Sequence, residues 1–112
     1  MKLIPSLRQK KRYILFEIQA EKEFTVFEAQ EAVQFALHDF LGQLGLAKAA
    51  PLFLKEKFAL NNFTLKVNHN YVDEVKSALI LIKKIKNTPV LLRSITTSGM
   101  LKKATILKSL NS

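Results

Sequence analysis

The chain has no cysteine and no tryptophan, only three glycines and three prolines, and no apolar run longer than the five residues Ala78 to Ile82. Without cysteine there can be no disulfide, no thiolate nucleophile and no cysteine-ligated zinc, and the redox compartment stays open. The three glycines, Gly42, Gly45 and Gly99, are too few and too scattered for a glycine loop that cradles phosphates. A membrane span needs about 20 apolar residues, so none is expected. Met1-Lys2-Leu3-Ile4-Pro5 runs into charge instead of an apolar stretch, which predicts no secretory signal. Imidazoles are scarce too. His38 and His69 have no cysteine and no cluster of carboxylates near them in sequence, and a metal site needs three or four converging ligands. Ser77, Ser94 and Ser98 have no paired base, and Asp73-Glu74 falls in the first turn of an expected helix, where acids complement the dipole. An independent enzyme is therefore not expected.

What is present is an ordinary folding composition, 48% apolar and 24% charged, in a 112-residue chain of single-domain size. The excess of cations is less ordinary: 18 basic against nine acidic residues, net +9. Its distribution is segregated. Residues 1–12 hold Lys2, Arg8, Lys10, Lys11 and Arg12 and no acid, and residues 76–112 hold eight basic residues and no acid. Between them, residues 13–47 carry six acids against Lys22 alone. Two acid-free blocks in one small domain point to a polyanionic partner, with the acidic segment facing water or another protein.

Hydrophobic spacing gives the elements. Residues 1–11, without periodicity, read as a basic N-terminal arm that orders on binding, and residues 12–112 as one domain. Arg12 to Gln19 alternates, with Ile14, Phe16 and Ile18 on one side and Tyr13, Leu15 and Glu17 on the other, which predicts a strand. Thr25-Val26-Phe27-Glu28 is a capping box opening a helix to about Leu44, with Gly45 as its left-handed terminator. Strands are predicted over Leu52–Leu60 and Phe63–His69, joined by a type I′ turn at Asn61-Asn62. A second helix capped by Asn70 follows, with Lys83, Lys84 and Lys86 in its last turn, then a fourth strand from Val90 to Thr96 and a third, basic helix from Met100 to Leu110. The order is that of an α+β, ferredoxin-like split β-α-β fold: an antiparallel four-stranded sheet with helices on one face, plus a C-terminal basic helix. RNA-recognition modules of this plan stack bases on strand aromatics. Here the outward positions of the third strand are Thr64, Lys66 and Asn68, so binding by phosphate contacts and shape is expected instead. The second helix needs its apolar stripe for the core, so no membrane partner is expected.

Four segments together resemble one family: Leu7-Arg8-Gln9-Lys10-Lys11-Arg12-Tyr13-Ile14; Leu41-Gly42-Gln43-Leu44-Gly45-Leu46-Ala47-Lys48-Ala49-Ala50-Pro51; Tyr71-Val72-Asp73-Glu74-Val75 on to Leu79; and Arg93-Ser94 through Ser98-Gly99 to Leu101-Lys102-Lys103. In order and spacing they are similar to the protein component 2 family of archaeal and eukaryotic ribonuclease P. Met100 after Ser98-Gly99 departs from the threonine usual there, and the glycine usual near Thr96 or Thr97 is missing. The resemblance implies a non-catalytic, cytoplasmic subunit of the ribonucleoprotein that removes the 5′ leader of precursor tRNA. It implies no cofactor on this chain and Mg²⁺ on the catalytic RNA subunit. The implied partners are that RNA, precursor tRNA indirectly, ribonuclease P protein component 3, and a second copy within a heterotetramer. The expected RNA contacts are Arg8, Lys10, Lys11, Arg12, Arg93, Lys102, Lys103 and Lys108, and the expected protein interface is Tyr13, Leu15, Glu31 and Asp39. The same residues also fit a generic basic α+β RNA-binding or ribosome-associated protein that binds structured RNA indiscriminately.

Overall fold

Alternation sends Ile14, Phe16 and Ile18 of β1 (Lys11–Gln19) into the core, where all three are buried. The computed structural model describes residues 10–99; the first nine residues of the expected arm and the expected C-terminal helix lie outside that range. After β1 come α1 (Val26–Ala49), β2 (Leu52–Phe53), β3 (Asn62–Asn68), α2 (Val72–Ile80), β4 (Lys84–Ile85), β5 (Thr88–Pro89) and β6 (Leu91–Ser98). The main sheet has the order β2-β3-β1-β6, with β1 antiparallel to both neighbours. That is the ferredoxin-like arrangement expected from the sequence. Phe16 of β1 lies opposite Phe63 of β3, and their rings stack at 5.2 Å; Phe53 of β2 extends the stack at 5.3 Å. Ala29, Val33 and Leu37 of α1 and Val75, Ala78 and Leu79 of α2 close over this face.

Several connections differ from expectation. The helix α1 begins at the expected capping box, with both reciprocal bonds between Thr25 and Glu28 made. It does not end at Gly45. The break falls at Gly42 (φ 73°, ψ 176°), a region open essentially to glycine alone, and a second helical limb continues to Ala49 before Ala50 turns left-handed. Gly45 serves close packing instead, because a Cβ there would sit 2.9 Å from the Leu41 Cβ.

The expected strand Leu52–Leu60 shortens to two residues because Lys55-Glu56-Lys57 breaks the alternation. A 3₁₀ turn through that triplet returns Phe58 to pack on Phe53. The hairpin turn lies one residue earlier than read, at Leu60 and Asn61, both with positive φ, and Ala59 pairs with Asn62. Tertiary bonds decide the shift. The Asn61 side chain accepts from the Phe24 N–H and donates to the Lys22 carbonyl, each at 2.8 Å.

The helix α2 starts without a side-chain cap from Asn70 and stops at Ile80. Lys83, Lys84 and Lys86 are therefore not in a last helical turn. They lie on and beside a small β4–β5 hairpin whose turn residues, Lys86 and Asn87, both have positive φ. Ile82, Ile85 and Val90 are buried there, although the backbone at Ile85 is a strand and not a helix. In β6 a bulge at Ile95 shifts the register, Leu15 facing Thr96 and Phe16 facing Ser94.

Candidate nucleic-acid interface

The start of β1 and the end of β6 are neighbours, since Tyr13 lies opposite Ser98. That register brings the inner ends of the two acid-free blocks to one end of the sheet. Local contacts set the backbone of Lys10 and the side chains of Lys11 and Arg12. The Lys10 carbonyl accepts from the His69 N–H at 2.8 Å, which continues the β1–β3 ladder by one residue. The Lys11 ammonium donates to the Asn68 side chain, whose amide in turn donates to the Lys48 carbonyl near the end of α1. The Arg12 guanidinium lies against Gly99, where a Cβ would come within 3.1 Å of its Nη1. Gly99 thus leaves room for the arginine. The Lys66 ammonium stands 5.9 Å from the centre of the Tyr13 ring. Among the described residues none of Lys10, Lys11, Arg12, Lys48 and Lys66 makes an ion pair; the two ion pairs found, Lys86–Glu31 and Arg93–Glu17, lie elsewhere. An unneutralised cationic edge with preset side chains is suited to phosphate oxygens.

The expected RNA contacts divide. Lys10, Lys11 and Arg12 share this end of the sheet. Arg93 does not. It faces Glu17 across β1, donates to that carboxylate at 3.1 Å, and is set roughly 15 Å along β6 from Ser98. Arg8, Lys102, Lys103 and Lys108 lie outside the described residues. Lys66 and Lys48 were missed by the sequence reading. Lys66 is legible only from register, which places it beside Tyr13, and Lys48 only once α1 is known to run past Gly42.

The expected protein-facing residues divide as well. Leu15 belongs to the outer side of the sheet but is only 5% exposed and Tyr13 is half-buried, so the apolar surface expected there is not open. Glu31 and Asp39 are exposed on α1, on the rim of a groove of about 470 Å³ between α1 and the region from α2 through the β4–β5 hairpin. Its aromatic rim residue Phe35 is 75% exposed, which sequence spacing alone did not reveal. The Lys86 ammonium spans from the hairpin to Glu31 at 2.8 Å, and that contact holds its pKa above the usual lysine range. Glu28 is held below the usual carboxylate range, first by the Thr25 backbone N–H. His38 and His69 are exposed, and no three metal-ligating side chains converge among the described residues.

Comparisons with known proteins agree with this architecture. A ribonuclease P protein component 2 from Thermococcus kodakarensis is 35% identical over 101 residues, 90% of this chain and 84% of that protein. One from Methanocaldococcus jannaschii is 36% identical over 104 residues, 93% of this chain and 76% of that protein. A chain in the cryo-EM structure of yeast ribonuclease MRP superposes with a TM-score of 0.65, covering 93% of this chain and 95% of that one at 14% identity, a likeness of fold. The sequence model of the Rpp14/Pop5 family matches residues 12–107, from the β1 cations past the end of β6. With these residues matched, and with a third of the sequence shared with full-length relatives, the chain belongs to the Rpp14/Pop5 family.

Proposed function

We propose that this chain is a non-catalytic protein subunit of ribonuclease P, the ribonucleoprotein that cleaves the 5′ leader from precursor tRNA. The observation that carries the proposal is the cationic end of the sheet, where Lys10, Lys11, Arg12 and Lys66 gather without a carboxylate partner among the described residues, in a chain whose relatives are named ribonuclease P protein component 2. The work of such a subunit is electrostatic. Packing RNA helices around a catalytic core crowds phosphates, and fixed lysines and arginines lower that repulsion. The RNA subunit would hold the Mg²⁺ ions and activate water; this chain would touch precursor tRNA only indirectly. Through Glu31 and Asp39 it would pair with another protein subunit, ribonuclease P protein component 3, and self-associate within a heterotetramer, acting in the cytoplasm.

Reconstitution tests the reading. Adding this chain and component 3 to the cognate RNA should restore precursor-tRNA cleavage at Mg²⁺ concentrations too low for the RNA alone. No gain in cleavage, or cleavage by the protein freed of all RNA, would sink it. If four to six phosphates are neutralised, log affinity for the RNA should fall with log salt at a slope of roughly −3 to −5. Replacing Lys10, Lys11 and Arg12 with Ala should flatten that slope by about two to three.

A further inference from the structure

The groove on the helical side of the molecule has walls of opposite charge. One wall is the exposed side of α1, carrying Glu28, Glu31 and Asp39. The other is the β4–β5 hairpin and its approach, carrying Lys83, Lys84 and Lys86. Only one pair, Lys86–Glu31, crosses between the walls; among the described residues Lys83, Lys84, Glu28 and Asp39 are in no ion pair. The floor is made of small or buried apolar side chains, among them Ala32, Ala36 and Ala78, which is why there is room at all. The rim is apolar and open, with Phe35 75%, Leu81 59% and Phe40 46% exposed. Large apolar side chains left open around a groove mark an interface.

The hairpin is built to hold this shape. Ile82 and Ile85 anchor it in the core, the Val90 N–H donates to the Lys83 carbonyl at 3.0 Å, and Lys86 accepts a positive φ of 50° at the turn. Helix-end electrostatics does not account for the lysines, since α2 has already ended at Ile80. The lining positions on α1, from Glu28 to Phe40, span roughly 18 Å, or about three helical turns.

We infer that this groove receives one amphipathic helix of the partner protein, about three turns long. Its apolar face lies on the alanine floor, its acidic flank is toward Lys83 and Lys84, and its basic flank is toward Glu28 and Asp39. The length of the groove, about three helical turns, and its apolar floor between charged walls match one amphipathic helix. Helix-in-groove recognition of this kind uses apolar anchors spaced three and four residues apart. The opposed walls add direction. A helix laid in the reverse sense would bring its acidic flank to Glu28 and Asp39, so the charges fix one orientation and exclude the other.

The inference rests on the pairing with a second protein subunit proposed above, and its test separates the two. Assembly with component 3 is measured by titration calorimetry for the full chain and four variants. Phe35→Ser removes an exposed anchor, Ala36→Phe fills the floor, Lys83→Glu with Lys84→Glu reverses one wall, and Asp39→Lys reverses the other. Each should weaken assembly at least tenfold, with affinity for the RNA and its salt slope unchanged. The wall reversals should lose most of their effect in high salt, and Phe35→Ser should keep its own. Phe35→Ser alters a side chain already in water, so it keeps the test sound if Ala36→Phe does not fold. Unchanged assembly in Phe35→Ser and both wall reversals overturns the inference and leaves the pairing intact. No assembly by the unaltered chain overturns both. A flatter RNA salt slope in a Lys83→Ala, Lys84→Ala variant would assign the basic wall to RNA and overturn the inference. Disruption of a homodimer by the same variants, with component 3 binding kept, would assign the groove to a second copy and overturn it too.

Discussion

Asn61 sits where two connections meet. Its side chain ties the Lys22–Phe24 segment to the β3 hairpin, its carbonyl accepts from the Ile18 N–H at 2.8 Å, and its own φ is 62°. Replacing it with Ala removes both side-chain bonds, leaves the buried Phe24 N–H unpaired and forces a Cβ residue into the left-handed region. Together these should cost about 3 kcal/mol. Asn61→Gly loses the bonds but keeps the conformation, so it should cost about 1 kcal/mol less than Asn61→Ala. Equal urea midpoints for the two variants would show that the backbone contributes nothing. The sequence made this a turn because asparagine tolerates positive φ. It could not place the turn to the residue, because the deciding bonds come from 37 and 39 positions away. Thr25 and Glu28 were readable in full, their reciprocal bonds being local. Thr25→Ala should cost about 1 kcal/mol. Glu28 is held below its ordinary pKa by the Thr25 N–H, so its contribution is complete above the ordinary value, about 4.3, and is lost as pH falls through the lower native value. The gap in urea midpoint between the unaltered chain and Glu28→Ala should thus be flat near neutrality and close in acid. A gap that widened in acid would contradict this.

At the scale of elements, apolar position was legible and backbone path less so. The inward sets of β1 and β3 are buried where the sequence placed them, but burial does not alternate, since Leu15, Thr64 and Asn68 on the other side are buried too. The end of α1 was not, because helical spacing continues on both sides of the break and two nearby glycines compete for one role. Conformation separates them. Gly42→Ala meets no atom within 4 Å, so its whole cost, about 1–3 kcal/mol, is the backbone region it occupies. Gly45→Ala has a helical backbone but a clash with the Leu41 Cβ. A crystal structure of each variant should show the kink relaxed in Gly42→Ala and the second limb displaced in Gly45→Ala. The β4–β5 hairpin was hidden for a related reason. Ile82 and Ile85 satisfy a helical stripe and an extended path equally well, and only Pro89 and the turn at Lys86-Asn87 decide between them. With the hairpin unseen, Lys83, Lys84 and Lys86 read as helix-end charges, and one wall of the groove went unnoticed.

Over the whole molecule the charge segregation seen in sequence becomes a division of surfaces. The cationic end lies where β1 begins, and the hairpin precedes the start of β6, which pairs with Gln19 at the far end of β1. Lys11 and Gln19 are eight residue steps apart along β1, roughly 26 Å, well beyond a screening length of about 10 Å at 0.1 M salt. Charges at the two ends therefore act almost independently in solution. If the sheet end holds RNA and the groove holds protein, their effects should add. Lys10→Ala with Lys11→Ala should weaken RNA binding most at low salt, with the deficit shrinking about tenfold between 50 and 200 mM because two phosphate contacts no longer add to the slope, and leave protein pairing unchanged. Phe35→Ser should do the reverse. The combined variant should show each loss at its single-variant size, with a coupling energy below about 0.5 kcal/mol. A larger coupling would mean that one partner orders the surface used by the other, and the division of labour drawn from the charge pattern would then fail.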